Sequence, residues 1–215
     1  MHIASSSATR RTTTSPRWTD LMATVKVTIP EQTQRYILRV EGGYYAGKDP
    51  RDPNETKYGI TYRKFLDAVA SGIVPKKPLK DLTTLEAMQI YEVFYWKPTG
   101  GAAFGLGCGT AFVDGAINCG NRANARLMQR VAADLGADVT DDGVIGAKTI
   151  DALNALPEKV VLYSYLSYRA AYYEACIRTN AKKRAEGKTK IDLSRNRRGW
   201  NNRLVRLAAE VGVAF

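Results

Sequence analysis

Apolar residues return every three or four positions through most of this chain, the spacing of helices that turn one face inward. Thr28-Ile29-Pro30-Glu31 opens the first such segment. Thr28 is placed to cap, Pro30 suits a first turn, and Glu31 stands three residues beyond the cap. The pattern runs through Tyr36, Ile37 and Val40 and meets Gly42-Gly43, where a left-handed exit is open to the backbone. Glu41 therefore falls at the C-terminal end of a predicted helix. Residues 44–61 hold Tyr44-Tyr45, Gly47, Pro50, Pro53 and Gly59, too many interruptions for a helix, and read as a loop with a short β-hairpin.

Helical spacing resumes over 62–71 and stops at Gly72, and a loop carries Pro75, Lys76, Lys77 and Pro78. Thr83-Thr84-Leu85-Glu86 spells a capping box ahead of Met88, Ile90, Tyr91 and Phe94, in a helix that ends before Pro98. The glycine-rich stretch 100–109 reads as a connector, followed by helices over 110–118 and 122–135. Asp141–Gly146 forms a tight loop into a short helix, 147–156, and Pro157 opens the longest helix, ending near Ala185. A basic loop and an amphipathic helix with Leu204, Leu207, Ala208 and Val211 complete a chain predicted to be mainly α.

Composition changes this picture in three ways. The 215 residues suffice for one sizeable core or two small ones, but carry a net charge of +11 and a pI near 9.6. Such an excess draws a protein toward nucleic acid, anionic lipid or the anionic polymers of a bacterial envelope. Between Arg178 and Arg206 eleven basic residues stand against only Glu186 and Asp192, a local +9 that is either a solvated face or a contact surface. The only histidine is His2. Zinc amidases and peptidases usually take histidine ligands, and serine or cysteine hydrolases need an imidazole base. A hydrolase built on this sequence must therefore work with carboxylates, without metal or cofactor.

Cys108, Cys119 and Cys176 are an odd set without CxxC spacing and read as reduced thiols, with a Cys108–Cys119 bridge as the alternative in an oxidising space. There is no apolar run of membrane-spanning length. The Ser-, Thr- and Arg-rich start lacks a secretory pattern, so residues 1–27 are expected to be a disordered leader.

Several blocks then point one way. Tyr36-Ile37-Leu38-Arg39-Val40-Glu41-Gly42-Gly43-Tyr44, Asp49-Pro50-Arg51-Asp52-Pro53 and Thr56-Lys57-Tyr58-Gly59-Ile60-Thr61 follow in order. Phe112–Gly120, Asp142–Thr149 and Gly199-Trp200-Asn201-Asn202-Arg203 come after them. Together they resemble the N-acetylmuramidases of glycoside hydrolase family 108, of phage-endolysin type, over about residues 30–207. One departure is Asn54-Glu55, where the family usually has two glycines. The resemblance implies a lysozyme-like helical fold with a small loop or β-hairpin beside Glu41. It implies a catalytic region over 28–107 and a helical peptidoglycan-binding region over 108–215. The implied substrate is the β-1,4 bond between N-acetylmuramic acid and N-acetylglucosamine. The protein would be made in the host cytoplasm and reach the wall through a holin-type pore. It is expected to act as a monomer on glycan strands, not on nucleic acid, with the basic C-terminal segment available to anionic envelope lipid or lipopolysaccharide.

Within this reading Glu41 is the general acid that protonates the leaving oxygen. Desolvation by Tyr44, Tyr45 or Tyr58 and the negative helix end would favour its protonated form; taken by spacing alone it is an exposed helix-end glutamate. Asp49 and Asp52 are candidates for positioning water or steadying the cation, or else belong to Asp-Pro turns. Tyr44, Thr56, Tyr58, Thr61, Trp96 and Asn118 are candidates for the substrate cleft. Strand packing is the alternative for the threonines and Tyr58, and core packing for Trp96. Competing functions are a lytic transglycosylase, a wall-binding or virion structural protein without activity, and a basic nucleic-acid binder. The last leaves the Glu41–Thr61 block unexplained.

Overall fold

The computed structural model describes residues 25–46 and 55–214, so all but the last three residues of the expected leader lie outside them. Helix α1 spans Glu31–Glu41 and ends where the glycines predict, with Gly42 at φ 79° returning its N–H to the Leu38 carbonyl at 3.3 Å. Its start differs from the local reading. Pro30 occupies the cap position without a side-chain bond. Thr28 gives its N–H and hydroxyl to the carboxylate of Glu92, at 2.8 and 2.7 Å. Glu92 is fully buried, and a buried carboxylate is tolerated only when hydrogen bonds replace its water. That demand, set by a residue 64 positions away, outweighs a local capping box.

Strands β1 (Tyr44–Tyr45), β2 (Thr56–Lys57) and β3 (Ile60–Thr61) form an antiparallel sheet in the order β1-β2-β3. Tyr45 pairs with Thr56, which pairs in turn with Thr61. The two-residue turn between β2 and β3 has positive φ at both positions, 51° at Tyr58 and 74° at Gly59, as tight hairpins require. Glycine enters this region freely, but tyrosine does so at a cost. The Tyr58 carbonyl is held by the Tyr91 hydroxyl at 2.7 Å.

Helix α2 (Tyr62–Ala70) follows directly, with Thr61 capping it through Oγ1 to the Lys64 N–H. Helix α3 (Thr84–Tyr91) carries both halves of the predicted capping box, Thr83 with Glu86, and continues through a π-turn at Glu92–Trp96. The second half comprises α4 (Leu106–Cys119), α5 (Asn121–Asp134), α6 (Ala147–Asn154), α7 (Glu158–Ala185) and α8 (Arg197–Glu210). Helix α4 starts four residues earlier than its sequence suggests. The Glu158 carboxylate accepts the Cys108 N–H at 2.9 Å and satisfies a free helix-start donor from 50 residues away.

Residues 108–116 of α4 are all buried, and the core forms around them. Gly115 makes this possible: a side chain there would occupy the space filled by the Tyr165 hydroxyl and Asn124. The architecture is a mainly helical, lysozyme-like fold with one small sheet. Among the described residues no helix is long and apolar enough to cross a membrane. All three cysteines are free thiols, so the alternative Cys108–Cys119 bridge is not formed.

Candidate active site

Glu41 is the last residue of α1, and its side chain is 14% exposed. Its Oε1 accepts a hydrogen bond at 2.6 Å from Nη2 of Arg203, which reaches it from α8. Arg203 is held in place by Asp114 of α4, whose Oδ1 accepts from its Nε at 3.0 Å. The same carboxylate accepts from Arg169 of α7 at 2.7 Å and from the Tyr36 hydroxyl of α1 at 3.1 Å. Four helices thus meet at one fully buried aspartate. Burial pushes the Asp114 carboxyl up, but the guanidiniums of Arg169 and Arg203 outweigh it and hold it below its ordinary range. For Arg203 burial acts against the charge, and Asp114 and Glu41 more than restore it.

The other oxygen of Glu41 lies against the β2–β3 turn. A Cβ at Gly59 would stand 2.5 Å from Oε2 of Glu41 and 2.8 Å from the Tyr91 hydroxyl oxygen. Tyr91 and Tyr95 both have phenols pushed up by burial first and by the Glu41 charge second. The Tyr91 hydroxyl thus stands with Glu41 at the turn, whereas Tyr44 and Tyr45 are about half exposed. Gly59→Ala is expected to lower any glycan cleavage by about 100-fold, through displacement of Glu41. It should also lower stability by about 1–3 kcal/mol, from backbone strain. Gly72→Ala, at φ 69° with open space around it, should show the stability loss alone. Turbidity assays on sacculi with urea melts would read both; equal activity losses would remove crowding of Glu41 as the cause.

The remaining sequence candidates divide by position. Tyr44 donates its hydroxyl to Glu55 at 3.0 Å at the exposed edge of the sheet. Thr56 is half-buried in β2, Tyr58 holds the turn, and Thr61 serves as the α2 cap. Asn118 accepts the Tyr173 hydroxyl at 2.7 Å and lines a cleft of about 350 Å³ with Val40, Trp200 and Arg203. Trp96 is not in a cleft: it is 3% exposed, packs on Gly101 and Gly109, and donates its indole N–H to Thr28. It is a core residue, because the π-turn rotates its ring inward against two residues that lack side chains. Asp49 and Asp52 lie outside the described residues. Among the described residues no group of three or more His, Cys, Asp or Glu is placed to hold a metal.

Sequence reasoning missed Arg169 altogether and took Arg203 only as part of a closing motif. The available signal was weak: one arginine amid the apolar positions of the long helix, buried in the structure beside the Tyr165 and Tyr173 rings.

Fold and site together are those of a lysozyme-like protein with Glu41 at a helix end. Residues 34–120 match the glycosyl hydrolase 108 family, and residues 123–205 match a family described as a predicted peptidoglycan domain. The chain thus joins a glycosyl hydrolase 108 domain to a peptidoglycan domain, the make-up of a peptidoglycan hydrolase. The two matched regions meet between α4 and α5, and the Glu41–Arg203 pair joins one to the other. Among solved structures it is similar to one titled "Structure of Brucella abortus SagA". The two are 27% identical with a TM-score of 0.63, over 84% of this chain and 91% of that one. No curated protein sequence matches it significantly.

Proposed function

We propose that the protein is a muramidase that hydrolyses the β-1,4 bond between N-acetylmuramic acid and N-acetylglucosamine, with Glu41 as general acid. The observation that carries this is the state of the Glu41 carboxylate. Oε1 is fixed by Arg203, while among the described residues Oε2 accepts no hydrogen bond. Oε2 is thus the oxygen left to carry a proton to the glycosidic oxygen as the bond breaks. Asp49 or Asp52, which follow β1 in the chain, would activate the attacking water or stabilise the positive charge on the sugar. Tyr44, Thr56, Tyr58, Thr61 and Asn118 would border the bound glycan.

In this reading the protein serves as a phage-type endolysin and acts as a monomer. It is made in the cytoplasm and reaches the wall through a separate pore. Its basic C-terminal third favours approach to the anionic envelope, lipid or lipopolysaccharide included. The test is the chemistry of the ends released from purified sacculi, read by mass spectrometry. Reducing N-acetylmuramic acid ends are expected. Anhydro ends would make the enzyme a lytic transglycosylase. Intact sacculi with protein bound to them would leave only a wall-binding role.

A further inference from the structure

The cleft beside Glu41 is built from both matched regions and carries more positive charge than the catalytic pair needs. Asn118 borders it from α4, and Arg195, Trp200, Arg203 and Arg206 border it from the C-terminal segment. Three cations of this segment are neutralised, Arg184 by Asp192, Lys188 by Glu186, and Arg197 by Glu174, while Arg178, Lys182, Lys183, Lys190 and Arg198 do not line the cleft. Arg203 is shared between Asp114 and Glu41. Arg195 and Arg206 make no ion pair with any described residue, and both open onto the cleft.

The remaining lining sharpens the chemistry. The Asn118 side-chain oxygen is occupied by the Tyr173 hydroxyl, which leaves its amide N–H groups as the polar function available to the cleft. Trp200 is stacked on Tyr173, ring centroids 4.8 Å apart and planes 18° from parallel, so its outer face is a fixed apolar wall. A cleft with two free guanidiniums, one amide donor and an aromatic wall selects an anion with small apolar groups attached. Guanidinium forks match carboxylates in particular. The sugar rings of a peptidoglycan strand are neutral. The carboxylates near the scissile bond sit on the short peptide attached to the lactyl group of each muramoyl residue.

We propose that this cleft binds the carboxylate-bearing stem peptide of a muramoyl residue, with Arg195 and Arg206 as its ion-pairing groups. Asn118 donates to the same chain, and Trp200 packs against its methyl groups. The cleft then tells peptide-bearing wall from bare glycan. This rests on the reading of Glu41 as the centre at which the strand is cut.

The experiment uses full-length Glu41→Gln protein, so that binding is read without turnover. Calorimetry compares a disaccharide carrying its stem peptide with the same disaccharide whose lactyl carboxyl is capped as a methylamide, so that no carboxylate remains. The peptide-bearing form should bind at least about tenfold more tightly, as expected for charge-assisted hydrogen bonds to one carboxylate. Adding Arg195→Gln and Arg206→Gln should bring that ratio close to one. A charge-matched pair away from the cleft, Lys182→Gln with Arg198→Gln, should keep it. Equal affinity for the two ligands, no binding of either, or equal loss in the control pair would overturn the proposal. Cleavage of intact and amidase-stripped sacculi by the wild type reports separately on Glu41. If neither is cut, the muramidase reading falls, while the affinity ratio still decides the cleft.

Discussion

Glu41→Gln is expected to lower sugar release from sacculi by about 10²–10⁴-fold while the protein stays folded. The amide has no acidic proton to give, so protonation of the leaving oxygen is lost. Its carbonyl oxygen can still accept from Arg203, but Asp114 is shared with Arg169, so the network keeps one positive charge without a carboxylate of its own. The variant should therefore unfold about 1–3 kcal/mol more easily than the wild type, the cost of leaving a charged group one partner short. Rates from dye-labelled sacculi and urea midpoints measured on the same preparations separate the two effects. Retention of more than about a tenth of the rate, given the normal size of acid catalysis, would remove Glu41 as the proton donor. Loss of folding together with activity would make the carboxylate structural.

How much of this was legible in the sequence depends on the range of the interactions involved. Helix α1 and its end at Gly42 were readable, because a helix stop is a matter of one residue's backbone freedom. The Thr83–Glu86 box was readable for the same reason: both partners lie within three residues. The matching signal at Thr28 misled, since Glu92 lies outside any local window and claims the threonine for itself. The start of α4 was misplaced in the same way, by a carboxylate from α7.

The site shows the same division. Glu41 was recognisable from its block and its place before two glycines. The hairpin beside it was legible as a loop with turn residues, but not that its second turn would press Gly59 against the glutamate. The groups that hold Glu41 come from positions 114, 169 and 203. Periodicity places an aspartate on the buried face of α4 no better than an alanine, and it gives no reason to bury an arginine. Only the assembled core shows that Asp114 and Glu41 together neutralise Arg169 and Arg203, which is why each is tolerated there. This also explains why the second matched region has to be present for the first to hold its glutamate. The cation that fixes Glu41 belongs to the last helix.

The same network sets the largest expected loss of stability. Asp114→Ala should cost about 3–5 kcal/mol, because it leaves the fully buried guanidinium of Arg169 without its counter-charge. Arg169 already has one buried N–H without a partner, so it has little capacity to rearrange. Replacing the pair together, Asp114→Leu with Arg169→Met, removes both charges from the interior and should recover most of that loss. Activity should not recover with it, since Arg203 would keep Glu41 but lose the carboxylate that aims it. The pH dependence follows from the direction of the Asp114 shift. Its folded carboxyl lies below the ordinary 3.8, held there by Arg169 and Arg203 against burial. Stability from this group is therefore fully present above the unfolded value and is lost as the pH falls through the lower, folded one. Urea midpoints of wild type and Asp114→Asn should differ by a constant amount above about pH 4 and converge below it. A difference that instead shrinks between pH 5 and 7 would mean that Asp114 titrates there, and the buried network would then not be the charged one drawn here.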